Sequence, residues 1–238
     1  MISSPLGSPT LTEHPRETED STGQGPAGAR RSDDPRRGLA ALRFAARHQM
    51  LSPEYARIFG RFLWRRLFTR AGHRWRTDGM VFLGPKLQLQ IGRTGQIRFG
   101  RFAWVGAGTK IRCHEGCVEI GAKTVLGQEC TISAFQHVSI GRECVIADRV
   151  MLIDFDHGMV EVDRPIRLQG IYKRDVKVGH NVWIGYGACV LRGASVGDNC
   201  VIGTSTVVTK DVPANAVVAG APARVLRMRD EPATLRWT

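Results

Sequence analysis

No stretch of this chain approaches the roughly 20 consecutive apolar residues that a bilayer-spanning helix needs, and its polar N-terminus lacks the apolar core of a secretory signal. The chain is therefore expected to stay where it is made, in the cytoplasm. Acidic side chains are scarce beside basic ones, 22 against 34, leaving a formal charge of +12. The imbalance is local: residues 38–76 hold nine arginines and one acid, Glu54. Such a segment suits an anionic partner, or else it solvates one helix face. It carries no recognisable nucleic-acid reading motif, so no nucleic-acid partner is expected. Residues 1–37 are almost without aliphatic side chains and rich in Ser, Thr, Pro, Gly and mixed charge, the composition of a disordered tail. The six cysteines do not read as a disulfide framework. Cys113 and Cys117 stand four apart with no second pair and no suitably spaced histidine, which argues against structural zinc. Cys130, Cys144 and Cys200 each lie two residues before an aliphatic residue of the repeat described next, and are expected to be reduced core thiols.

From residue 178 onward, helix and strand periods are missing too. Aliphatic residues recur every sixth position, at Val178, Ile184, Val190, Val196, Ile202 and Val208, and Gly179, Gly185, Gly197 and Gly203 directly follow four of them. A helix would space apolar residues near 3.6 and a half-buried strand by 2. Strict sixes describe a solenoid that turns a corner every six residues, making triangular coils of three short parallel strands. The glycines are expected at corners, where a missing Cβ permits a sharp turn. Upstream the sixes continue with slips, through Ile91 and Ile97, then Phe99, Val105 and Ile111, then Ile120, Leu126 and Ile132, then Ile140, Ile146 and Leu152. The slips are expected to bulge out at corners, and the 25 residues between Leu152 and Val178 form a long polar excursion where chemistry would be placed.

The expected order is thus a disordered tail (1–37), a basic amphipathic helical segment (38–76), a mainly β solenoid (77–227) and a short tail or helix over the open end (228–238). Ser52-Pro53-Glu54 reads as a helix start, and the helix that follows sets Tyr55, Ile58, Phe59, Phe62, Leu63 and Phe68 against Arg57, Arg61, Arg65 and Arg70. Its apolar face is suited to packing on the solenoid or a neighbouring subunit, or to peripheral contact with the inner face of a membrane through residues 53–70.

The sixes, the segment IDFDHG, and the run from VGHNVWIG through VVTKDVP to GAPAR resemble the hexapeptide-repeat acyltransferases, in the branch with maltose, galactoside and polysaccharide O-acetyltransferases. The resemblance implies a left-handed parallel β-helix, a homotrimer with active sites between subunits, and acetyl-CoA or another short acyl-CoA as donor. It sets the catalytic histidine on His157, a general base whose imidazole would take the proton of an acceptor hydroxyl. Asp154 or Asp156 would orient that ring, or bond local backbone instead. The backbone amide of Tyr186 would meet the oxyanion. Trp183 would lie beside the pantetheine arm, Thr204, Ser205, Thr209 and Lys210 along the coenzyme, and Lys210 with Arg224 at its phosphates. Gly127 and Phe135 stand where the galactoside branch has acceptor-binding polar residues, so a larger or partly apolar acceptor is expected, a sugar, glycan precursor or glycolipid. Two alternatives stay open: N-acylation of an amino sugar, and a β-helical binding module without turnover. A zinc site of His114, His137 and His157 like that of the β-helical carbonic anhydrases is set aside, because position 162 is valine where those enzymes carry a second histidine. No metal is expected.

Overall fold

The computed structural model describes residues 53–68 and 74–229. The N-terminal tail, residues 38–52 and 69–73 of the expected helical segment, and residues 230–238 lie outside the described residues. Within them the chain is a left-handed parallel β-helix. Strands of two to four residues fall in turn on three faces, and each bonds its counterpart one coil along. The first face carries Trp75–Thr77, Gln96–Phe99, Cys117–Ile120, His137–Ile140, Val176–Val178 and Ser195–Val196. The second runs from Phe82–Leu83 to Val201–Ile202 and then Ala216–Ala219, and the third from Gln88–Ile91 to Val207–Val208. The coil begins at Trp75, two residues before the boundary read from the sequence.

Register makes the core. On the third face Leu89, Ile111, Ile132, Leu152, Val190 and Val208 stack in one column, and on the second Leu83, Val105, Leu126, Ile146, Ile184, Ile202 and Val218 do the same. The first face places two columns inward, because Ile97, Val118, Val138 and Val176 stack beside Phe99, Ile120, Ile140 and Val178. Burial of each aliphatic side chain contributes about 1.5–3 kcal/mol, so repetition rather than any one contact stabilises the coil. Cys130, Cys144 and Cys200 are buried and free, their thiols donating to the carbonyls of Ala147, Gly179 and Pro213 in the next coil.

The corner glycines are needed for a reason other than turning. At Gly179, Gly185 and Gly197 the backbone is not left-handed, but a Cβ would lie 2.8, 2.7 and 2.5 Å from the backbone nitrogens of Asp198, Thr204 and Ala214. Close approach of the next coil demands them. The left-handed corner positions fall instead to Lys86, Phe102, Lys123, Glu129, Glu143, Arg149, Asn181, Asn199, Ser205 and Asn215, with φ between 53 and 63°, and to the other glycines Gly108 and Gly187, with φ of 70 and 65°. Asn181, Asn199 and Asn215 tolerate that conformation best and also bond one another, side chain to side chain, at 2.9 and 3.0 Å along one corner.

Both ends are covered. The helix Pro53–Phe68 packs Ile58 and Phe62 inward, with Phe62 against Trp75 and Trp75 edge-on to Phe99 (ring centroids 5.9 and 5.5 Å), while Arg61 Nε donates to Leu83 O. Among the described side chains of this helix, that narrow stripe is the part buried; Phe59, Leu63, Trp64 and Leu67 stay exposed. At the other end Arg224–Met228 folds back antiparallel on Ala216–Ala219. That strand covers the last edge of the second face, while the tail or helix expected over residues 228–238 lies almost wholly outside the described residues.

Candidate functional site

Whereas the slip read between Ile97 and Phe99 falls within the first-face strand Gln96–Phe99, those after Ile111, Ile132 and Leu152 land on the corner between the third and first faces. There His114, Phe135 and Phe155 follow the ends of successive third-face strands, so register brings their rings together. His114 stacks on Phe135 at 4.4 Å, Phe155 meets Phe135 edge-on at 4.6 Å, and His157 stands 6.4 Å beyond Phe155. Lys173 Nζ lies 5.6 Å over the Phe135 ring and pairs with Glu115. His157 is exposed at the base of the long excursion, which opens as a two-stranded hairpin pairing Phe155–His157 with Ile171–Lys173. The excursion is stapled by Gln169, whose Nε2 donates to the carbonyls of Glu161 and Arg164 at 2.7 and 2.6 Å. Its tip leaves Met159, Val160, Val162 and Ile166 exposed.

The two aspartates beside His157 are engaged elsewhere. Asp154 is fully buried and accepts from the backbone amides of Phe135 and Gln136 at 2.8 and 2.7 Å. It holds the corner on which the aromatic stack stands. Asp156 pairs with Arg192 Nε at 2.6 Å. Among the described residues neither carboxylate bonds the His157 ring. Asp154 bonds backbone as weighed, but one coil back and not locally in its own turn, and Asp156 is held by a cation that the motif did not single out.

Trp183, Tyr186, Thr204 and Ser205 gather at a different corner. Trp183 points outward from the second face, 55% exposed, and Tyr186, Thr204 and Ser205 follow at the turn into the third. Arg149, itself paired with Glu129, donates to Tyr186 Oη at 3.0 Å. The Ser205 amide bonds Tyr186 O, whereas no acceptor among the described residues meets the Tyr186 N–H. Two coils earlier on the same corner, the amide of Gln128 is taken by the Asp148 carboxylate. The Tyr186 amide is thus left available to a ligand. Thr209 and Lys210 are exposed after the last third-face strand, two strands from Ile153 along the His157 corner, about 9.5 Å at ordinary strand spacing. Arg224 is exposed on the closing strand.

The expected residues therefore form two groups. His157 and Lys210 share one corner, while the Trp183–Tyr186–Ser205 edge lies across the third face. Sequence reasoning missed the aromatic stack, although a one-coil spacing of about twenty residues aligns positions 114, 135 and 155. A groove of about 760 Å³ also opens on the first face, lined by Arg76, Arg98, Glu119, Ser139, Arg142 and His180 among others.

A triangular coil of parallel strands with an excursion from one corner defines a class of solenoid. The family model described as bacterial transferase hexapeptide (six repeats) matches residues 175–210. The probable acetyltransferase Rv3034c of Mycobacterium tuberculosis is 36% identical over 201 residues, 82% of this chain and 66% of that protein. Nodulation protein L of Rhizobium meliloti is 40% identical over 126 residues, 51% of this chain and 68% of that protein. A galactoside acetyltransferase solved in complex with coenzyme A superposes with a TM-score of 0.53 at 23% identity, over 79% of this chain and 88% of that one. The chain spans about two thirds of the length of the two curated relatives. It belongs to the hexapeptide-repeat acyltransferase family.

Proposed function

We propose that this protein transfers an acetyl or other short acyl group from coenzyme A to a hydroxyl of a sugar, glycan precursor or glycolipid, at sites shared between copies of a homotrimer in the cytoplasm. The observation that carries the reading is the division of the site. An exposed imidazole sits on one corner and an unpaired amide donor, flanked by Trp183, on another. A neighbouring copy that docks its own corner against this one would bring base and oxyanion donor to the same thioester. His157 takes the hydroxyl proton as the oxygen attacks the carbonyl, the Tyr186 amide receives the developing oxyanion, and the coenzyme leaves as its thiol.

A lengthwise apolar stripe supports the association. Phe82, Trp104, Val125, Val145, Trp183, Val201 and Val217 stand in register on the outer side of the second face. Val125, Val145 and Trp183 are 40, 53 and 55% exposed in the single chain. The exposed tip of the excursion offers a second apolar surface. The unburied residues Phe59, Leu63, Trp64 and Leu67, beside Arg57, are those available for an anionic membrane surface.

The acceptor side is built from rings. Phe135 and Phe155 beside His157 favour an acceptor with an apolar face, and Lys173 adds a cation at their edge. The test is thiol release from acetyl coenzyme A against a panel of sugars, amino sugars and glycolipids, with His157→Ala alongside. Release should depend on an acceptor and fall about 10²-fold or more in the variant, the scale of a lost general base. Retention of full activity by His157→Ala would remove the base from the account, and a preference for amines would favour N-acylation.

A further inference from the structure

The first face carries a second chemical constellation, away from His157 and from the apolar stripe. Cys117 and His137 are direct partners across adjacent strands, and Glu119 stands two residues from Cys117, on the same outer side. Strand spacing of about 4.8 Å fixes the three backbones, so their side chains converge without help from a loop. The thiol sulfur, one carboxylate oxygen and one imidazole nitrogen all lie within 4.8 Å of one another. Cys117 Sγ is 3.8 Å from Glu119 Oε1, and His137 Nε2 is 3.6 Å from Glu119 Oε2. Bonds of about 2.0–2.3 Å around a tetrahedral ion put neighbouring donor atoms about 3.3–3.8 Å apart. The two separations to the Glu119 carboxylate fall in that range, and the thiol and imidazole stand within 4.8 Å of each other.

We propose that Cys117, Glu119 and His137 form a surface site for a divalent transition metal, zinc by preference, with its fourth position open to solvent. The donor set selects the metal. A thiolate with an imidazole suits zinc and its neighbours in the first row, whereas magnesium and calcium require oxygen. Arg98 Nη1 pairs with Glu119 Oε1 at 3.1 Å and so holds the carboxylate with Oε2 toward His137, the kind of outer contact that orients a ligand. All three side chains are half-buried, accessible to an ion from solvent. Local ligand spacing misses this site, because the histidine that completes it is one coil away and twenty residues along.

The test uses the full chain, reduced and stripped with a chelator, titrated with cobalt chloride. One cobalt per chain should bind with near-ultraviolet thiolate-to-metal absorption, zinc chloride should displace it, and competition with a chromophoric chelator should give micromolar zinc affinity or tighter. Cys117→Ser, His137→Ala and Glu119→Gln should each weaken zinc at least the roughly 10- to 100-fold that even an outer-shell partner is worth. Cys189→Ser, which alters the other half-buried thiol, should leave it unchanged. If Cys117→Ser lowers the melting temperature of the metal-free chain, His137→Ala and Glu119→Gln decide. Zinc binding weaker than micromolar in the wild type, or equal binding in the variants, overturns the site.

Discussion

At the scale of single residues, the coil uses side chains in ways their motifs do not announce. Asp154 and Asp156 flank His157 in sequence, yet one holds the Phe135 corner through two backbone amides and the other pairs with Arg192. The reach of a carboxylate is set by what register brings beside it, and that was not legible before the coils were aligned. The cysteines, by contrast, were legible, since a small apolar residue two places before each stacked aliphatic has nowhere to point but inward. Burial raises Cys130 from the ordinary 9.0 to about 11. Its thiol stays neutral in the fold while the unfolded chain ionises, so the stability it contributes is full below pH 9 and lost as pH rises from 9 to 11. Urea midpoints measured at pH 8 and 10 should fall, and by less in Cys130→Ala than in the parent. An equal fall in both would show that this thiol stays neutral in neither state.

At the scale of elements, the hexads gave most of the core columns of the second and third faces, although the third begins its column at Leu89 and not Ile91, and of the second column of the first face they gave Ile97 alone. Val118, Val138 and Val176 each lie two residues before a hexad position, Ile120, Ile140 and Val178, and so fall between the sixes. The glycines were located correctly and their role was not: a local reading sees a turn, whereas their need comes from a neighbour twenty residues away. Gly121 makes the point testable. A Cβ there would lie 2.4 Å from the Gly141 carbonyl, with no left-handed φ to confuse the result. Gly121→Ala should therefore destabilise the fold by about 1–3 kcal/mol, the usual scale of overpacking, read from denaturant midpoints. An unchanged midpoint would mean the coils can spread without loss. The helix Pro53–Phe68 was legible as amphipathic from its spacing, but which of its apolar residues would be buried depended on Trp75 and Phe99, and so on the coil it covers.

At the scale of the whole molecule, His157 and the Trp183–Tyr186–Ser205 edge belong to different corners of one prism, and the outer side of the second face is apolar along its length. The family resemblance supplied the expectation of a shared site, and the separation of His157 from Tyr186 across the third face is the physical reason the proposed function calls for a second copy. Complementation tests this most directly. His157→Ala removes the base, and Thr204→Glu puts a carboxylate on the donor edge, where it would repel coenzyme A phosphates. Each variant should be nearly inactive alone. In trimers assembled at random from equal amounts of both, about a quarter of the interfaces pair an intact His157 with an intact donor edge. The account predicts acyl transfer restored to about a quarter of the wild-type rate; a mixture no more active than its parents would contradict a site built between copies.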